Sequence, residues 1–310
     1  QVATKIRPVF NCSLKTSRGG PSLNEACYEG VNIMGDMLEL IMLFRTNLYT
    51  FLADIHKAFL MIKLKHLHDR NKLCFFMRDG NKLICYRFTT LIFGLNASPF
   101  ILNYIIKYHA NQFPNDECTQ MLLNNFFVDN MVKTHNSIDK LKQLYKTSAE
   151  RMALGNFDLR SCNSNSEELR NVMKVDGKIV EHSCEFERVL GYKYSTINDT
   201  LHISCSFLDS NANSKRGILS QTAKIFDPLS LAAPVTVRCN TLISSLWENK
   251  SQENHWNAEV SVEFQRTWSA LSKDLVQLSS LAFPRYSLSE DKGTEFFYFV
   301  THLKIMHMAM

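Results

Sequence analysis

Leu52-Ala53-Asp54-Ile55, running on to Phe59, is followed by Phe93-Gly94-Leu95-Asn96-Ala97-Ser98-Pro99 and then by Phe126-Phe127-Val128-Asp129-Asn130. The first stretch closes an apolar run, Tyr49 to Ile55, that reads as a buried strand ending at an aspartate. The third reads as a hairpin, Phe126 to Val132, with Asp129-Asn130 at its tip, since Asp-Asn is a favoured two-residue turn. Taken singly, an aspartate that ends a strand is ordinarily a cap. Taken in order, two such strands can lie side by side and present Asp54 and Asp129, 75 positions apart, at one end. Paired carboxylates of that kind suit hard divalent cations and the two-metal chemistry of phosphoryl groups, with ions about 4 Å apart. Between them, Phe93-Gly94 lets another group approach the backbone closely, because glycine has no side chain to exclude it. Ser98-Pro99 then starts a helix, with Ser as cap and Pro at the first helical position.

Outward from these words, residues 4–12 alternate toward a strand. Residues 31–46 carry Val31, Met34, Leu38, Ile41 and Met42 at helical spacing. Asp79-Gly80-Asn81-Lys82 separates two apolar runs, Leu73 to Met77 and Leu83 to Phe88, as a hairpin would. The helix after Pro99 places Ile101, Leu102, Ile105 and Tyr108 on one face, and a basic helix spans Ser137 to Met152. Beyond Gly155 short strands alternate with Asn/Ser-rich connectors to about Ser210, and a mostly helical region follows from Ser214 to about Ser280.

Bulk composition fits a globular chain: 310 residues, 45% hydrophobic and 21% charged. Lys plus Arg outnumber Asp plus Glu by 19 to 12 in residues 1–155 and trail them 16 to 18 in residues 156–310. Positive charge on the half that carries the motifs suits a polyanion partner. Nine scattered cysteines without a C-x-x-C pair argue against a disulfide framework or a structural zinc site and for reduced thiols. The most apolar window, Leu38 to Ile55, contains Glu39, Arg45, Asn47 and Asp54, which excludes a membrane span there. The absent initial methionine and the stop at Met310 read as the ends of a fragment.

With these residues in view, the chain resembles the reverse transcriptase region of long-terminal-repeat retrotransposons of the Bel/Pao group. The resemblance implies an α/β (α+β) polymerase right hand. Fingers and palm would occupy residues 1–155, a thumb-like segment 156–210, a helical connection 211–285, and a truncated RNase H-like start 286–310. It implies Asp54 and Asp129 as ligands of two Mg²⁺ (or Mn²⁺) ions, with Asn130 at the position of a third carboxylate. Lys5 and Arg7 would meet template and triphosphate, Phe59 would exclude the ribonucleotide 2′-OH, and Phe93, Gly94 and Ser98 would line the template and primer. Implied partners are an RNA or DNA template-primer, dNTPs and the protease, RNase H and integrase parts of a polyprotein, with no membrane. The implied setting is cytoplasm, a virus-like particle or the nucleus. Ser22-Leu23-Asn24 continues the fingers block. Val189-Leu190-Gly191-Tyr192, Lys215-Arg216-Gly217, Phe226-Asp227-Pro228-Leu229, Trp247, Trp256 and Phe283-Pro284-Arg285 carry the group resemblance, as structural words without chemistry.

The chain departs from the pattern at Asn130, which is neutral where the family has aspartate, and at Thr301, where an RNase H-like signature has aspartate. One fewer charge weakens a site meant for two dications and three phosphates. The function expected is RNA-directed DNA polymerase with impaired activity; the alternative is a catalytically inactive, nucleic-acid-binding remnant. A protein-interaction scaffold is a third reading, which salt-dependent binding to a primer-template would separate from both.

Overall fold

A computed structural model describes residues 10–15, 19–179, 186–205, 208–248 and 255–286. Lys5, Arg7, Thr301 and all but Tyr286 of the segment 286–310 lie outside the described residues. After α1 (Leu23–Ala26) and α2 (Met37–Phe44), the expected strand β1 (Tyr49–Ile55) forms as read. It leads through α3 (Leu67–Arg70) to the hairpin β2 (Cys74–Asp79) and β3 (Lys82–Arg87), whose turn is Gly80-Asn81. Helices α4 (Ser98–Ala110) and α5 (Glu117–Asn124) follow, then β4 (Phe126–Phe127) and β5 (Asn130–His135). Helix α6 (Ile138–Leu154), strand β6 (Leu159–Asn163) and helix α7 (Glu167–Val175) complete the first layer pair.

The central sheet has the order β4-β5-β1-β6 with antiparallel neighbours. Both of its faces are covered, which is why β1 is an unbroken apolar run rather than an alternating one. Phe51, Ala53 and Ile55 point into a core with Leu102 of α4, Met121 of α5, Tyr145 of α6 and Leu169 of α7. Leu52 and Val132 point the opposite way, into a second core with Leu40, Ile41 and Phe44 of α2. Successive strand residues alternate in side, so Asp54 and Asn130 share the face of Leu52 and Val132.

The second core is closed by a smaller sheet, β10-β9-β8-β7, made of β7 (Glu187–Val189), β8 (Tyr192–Ser195), β9 (Thr200–His202) and β10 (Phe283–Pro284). Helices α8 (Lys215–Thr222), α9 (Ala233–Glu248) and α10 (Val262–Gln277) pack with it through Ile218, Cys239, Leu242, Trp268 and Leu271. Two group-specific words turn out to be one device. Asp227 accepts from Tyr192 Oη (2.8 Å), Leu231 N (3.0 Å) and Ala232 N (2.7 Å), fixing the start of α9. Gly191 has φ +94°, and a Cβ there would stand 2.1 Å from the Phe226 ring. Gly191→Ala should therefore cost about 2 kcal/mol, from left-handed strain and displacement of Phe226; urea denaturation read by tryptophan fluorescence would measure it. Among the described residues no helix is long and apolar enough to cross a membrane.

Several local expectations are corrected. The 31–46 helix shrinks to Met37–Phe44, because the Asp36 carboxylate caps Leu38 N and Glu39 N and so sets the start there. The tip of the second hairpin is Val128-Asp129, not Asp129-Asn130, since Asn130 is already a strand residue opposite both Phe127 and Asp54. Ser98 does not cap α4: its hydroxyl, fully buried, donates to the Ile92 carbonyl (2.8 Å), and no side chain caps that end. The buried face of α4 is Ser98, Leu102, Ile106 and Ala110, while Tyr108 is exposed. The central sheet also continues past Gly155, where the sequence texture changes, because β6 pairs with β1.

Candidate active site

Strand β1 delivers Asp54, and its register with β5 sets Asp54 opposite Asn130. Ile55 N donates to the Asp129 carbonyl (3.1 Å), so the hairpin turn is fastened to the end of β1. The turn holds Val128 at φ 57°, a left-handed conformation that a β-branched residue seldom adopts. Asn130 Nδ2 donates to Asp129 Oδ1 (3.1 Å). The three residues read from the sequence as the chemical centre are therefore brought together, at one end of two paired strands.

Electrostatics set this group apart. On β6, Arg160 stands opposite Asp54 in register, but its guanidinium Nε is 2.6 Å from Asp158 Oδ2, and Lys178 Nζ is 2.5 Å from Asp158 Oδ1. Among the described residues neither Asp54 nor Asp129 has an ion-pair partner. Burial, and secondarily the charge of Asp129, pushes the Asp54 carboxyl up to about 6; burial also raises Asp129. Two half-buried acids held together without a counter-charge are poorly stabilised when ionised. A hard divalent cation would relieve exactly that deficit, and Asp54, Asp129 and the Asn130 amide oxygen supply oxygen donors of the right kind. No three His, Cys, Asp or Glu side chains among the described residues converge on such a site, so the acids stand as a pair.

The sign of the pH effect follows. Asp54 binds its proton more tightly in the folded chain, so it costs stability above pH 6, and the cost fades as the pH falls toward the unfolded value. Asp54→Asn should be more stable than the parent at pH 8 and lose that advantage by about pH 4. Thermal melts of both chains across this range, without divalent metal, would test it.

A cavity of about 290 Å³ opens on this face, lined by Leu52, Asp54, Asn130 and Val132 on one side and by Arg188 and Val189 on the other. The Arg188–Leu190 contribution was invisible in the sequence, where Val189-Leu190-Gly191-Tyr192 read as structure alone.

Phe59 lies in the turn of 3₁₀ helix Ala58–Met61, buried, with its ring edge-to-face against Phe93 at 4.8 Å. Phe93 itself is half exposed, so the two aromatic residues expected at the site do meet. Gly94 also answers a packing need of the chain itself. It has φ +92°, and a Cβ there would stand 2.3 Å from the Phe10 carbonyl oxygen, so its missing side chain makes room for the chain's own backbone. Asn24 holds this loop. Its Nδ2 donates to the Gly94 carbonyl (3.0 Å), while its Oδ1 and carbonyl accept from Asn96 N (3.0 Å) and Nδ2 (2.9 Å). Sequence reading placed Asn24 in the fingers block without this clamping role. Ser98, inside the first core, helps anchor the loop rather than facing solvent. Lys5 and Arg7 lie outside the described residues.

Residues 214–300 match the family described as Pao retrotransposon-like RNaseH-like domain. The match starts close to residue 211 and runs through 285, so it takes in both the helical segment and most of the RNase H-like start that were read as separate. No curated protein matches the chain. Among solved structures, the foamy viral protease-reverse transcriptase in complex with double-stranded DNA superposes with a TM-score of 0.50 at 9% identity, over 78% of this chain and 38% of that one. The foamy viral protease-reverse transcriptase in complex with an RNA/DNA hybrid superposes with a TM-score of 0.46 at 11% identity, over 79% of this chain and 30% of that one. The chain thus spans well under half the length of these proteins, and at 9% identity the likeness to the first is one of fold.

Proposed function

We propose that this chain, with a Pao-retrotransposon segment at residues 214–300 and a mixed α/β fold like that of a reverse transcriptase, is the polymerase part of a retroelement polyprotein. In this reading fingers and palm span residues 1–155 and a thumb-like segment 156–210. Residues 211–285, read as a helical connection, and the RNase H-like start at 286–310 fall largely within the one Pao RNaseH-like match. The observation that carries it is the pairing of Asp54 and Asp129, both raised in pKa and without an ion-pair partner among the described residues, beside a cavity that Asp54 and Asn130 line.

Bound there, Mg²⁺ or Mn²⁺ would activate the primer 3′-oxygen and stabilise the leaving pyrophosphate. The chain's own residues position the reactants. Asp54 and Asp129 hold the cations, Phe59 walls the sugar of a dNTP, and the Phe93-Gly94 loop, clamped by Asn24, fixes the surface on which template and primer lie. Lys5 and Arg7 would meet template and triphosphate, and the protease, RNase H and integrase parts of the polyprotein are the expected partners. The cytoplasm, a virus-like particle or the nucleus is the setting this reading implies.

A second reading, a nucleic-acid-binding remnant without catalysis, is favoured by one observation. Asn130 brings no charge and spends its amide on Asp129, the acid it should join in holding metal. Primer extension on an RNA template with Mg²⁺ separates the two. Extension that disappears in Asp54→Asn supports the polymerase; salt-dependent template-primer binding with no extension supports the remnant. Absence of binding at low salt would sink both.

A further inference from the structure

The three tryptophans are of two kinds. Trp268 is fully buried and donates from Nε1 to the Asp209 carbonyl (3.0 Å). Trp247 and Trp256 are instead 47% and 44% exposed, although they meet each other with ring centroids 5.4 Å apart at 78°. An edge-to-face pair covers at most one face of one ring, so with this exposure flat apolar surface of both indoles stays wet. Cations accompany both: Lys215 Nζ stands 5.6 Å from the Trp247 centroid, and Arg216 Cζ 5.7 Å from that of Trp256.

This arrangement is built rather than accidental. Arg216 N donates to the Trp256 carbonyl (3.1 Å), and Arg216 Nε donates to Asn257 Oδ1 (2.8 Å). Val260 N donates to the Asn213 carbonyl (2.8 Å) and Ser214 bridges Glu259, lacing residues 255–260 to the start of α8. The start of α8, the end of α9 and the 255–257 turn thereby present two indoles and two cations at one place. None of the four residues lines the Asp54 cavity.

A ligand that uses wet aromatic faces and neighbouring cations together carries flat rings and anions on one chain. A single-stranded nucleic acid does, whereas the bases of a duplex have no free faces. We infer that Lys215, Arg216, Trp247 and Trp256 form a stacking site for single-stranded nucleic acid, distinct from the Asp54–Asp129 centre. The inference rests on the reading of the chain as a nucleic-acid-handling protein and names a second contact within it.

The test is binding of labelled single-stranded oligo(dT) to the full chain, by anisotropy at several salt concentrations. Trp247→Ala and Trp256→Ala should each weaken binding roughly tenfold, while the corresponding Phe variants, which keep a ring, should retain most of it. Lys215→Gln should lower the slope of log K against log salt by about one contact. Should the alanine variants misfold, the phenylalanine and Lys215→Gln chains still give the readout. Unchanged affinity in the alanine variants, or no oligo(dT) binding by the parent, overturns the site. If oligo(dT) binds through the indoles but no variant extends a primer, the polymerase reading fails and this site stands. If primers are extended while the alanine variants bind oligo(dT) as the parent does, the reverse holds.

Discussion

Asn130→Asp is expected to raise Mg²⁺-dependent primer extension by about a hundredfold or more, the scale on which one preorganised electrostatic contact acts in catalysis. The register of β5 already places residue 130 opposite Asp54, with the adjoining Asp129 fastened to Ile55 N, so no backbone movement is needed to complete the set. The same change should be visible without any turnover. Asn130 now donates a hydrogen bond to Asp129; an aspartate there replaces that bond with a third like charge beside two acids already raised in pKa. In a metal-free, low-salt buffer Asn130→Asp should therefore melt at a lower temperature than the parent. Millimolar Mg²⁺ should raise its melting temperature more than the parent's, since a ligand that binds the native state stabilises it by mass action. Extension that stays undetectable, together with melting curves indifferent to Mg²⁺, would mean that the acids do not form a cation site and would leave only the remnant reading.

How far the sequence carries this site can be judged residue by residue. β1 was legible because a strand covered on both faces is an unbroken apolar run, and Asp54 stood out as its polar end. The β2–β3 hairpin was legible because Gly80 supplies the left-handed residue its turn needs. The second hairpin was found but its turn misplaced by one position. Asp129-Asn130 has the better turn chemistry, yet pairing of Asn130 with both Phe127 and Asp54 forces the strained Val128 into the turn. Local propensity lost to sheet register. Ser98 and Gly94 each also serve a packing contact that the sequence did not announce, with Ile92 in one case and with Phe10 in the other. Asn24 is the same lesson, a residue whose partners lie some 70 positions away. Contacts of that range leave no periodic trace.

Arg285 is the extreme case, and its loss should produce the largest change in stability. It closes the Phe283-Pro284-Arg285 word, and its side chain is fully buried. Nε and Nη2 bind the two Asp199 carboxylate oxygens at 2.6 and 2.9 Å. The guanidinium also donates to the carbonyls of Phe44 (2.6 Å), Asn47 (2.7 Å) and Leu48 (2.7 Å), closing the end of α2 and the approach to β1 across up to 241 positions of sequence. Asp199, held at φ 52°, accepts in addition from Tyr194 Oη at 2.6 Å. Arg285→Ala strands a carboxylate and three carbonyls at once, and removal of one partner from a buried pair costs about 3–5 kcal/mol. That is a large share of the about 5–15 kcal/mol that holds an ordinary domain together. Arg285→Lys should recover little, because an ammonium cannot reproduce the two-pronged contact with Asp199. Arg285→Met combined with Asp199→Asn should be milder than Arg285→Ala, since it removes the uncompensated charge while asparagine tolerates the left-handed backbone. Urea denaturation of the three variants gives the order directly. An Arg285→Ala midpoint indistinguishable from the parent's would show that the link between α2, β1 and the small sheet is carried by apolar packing alone.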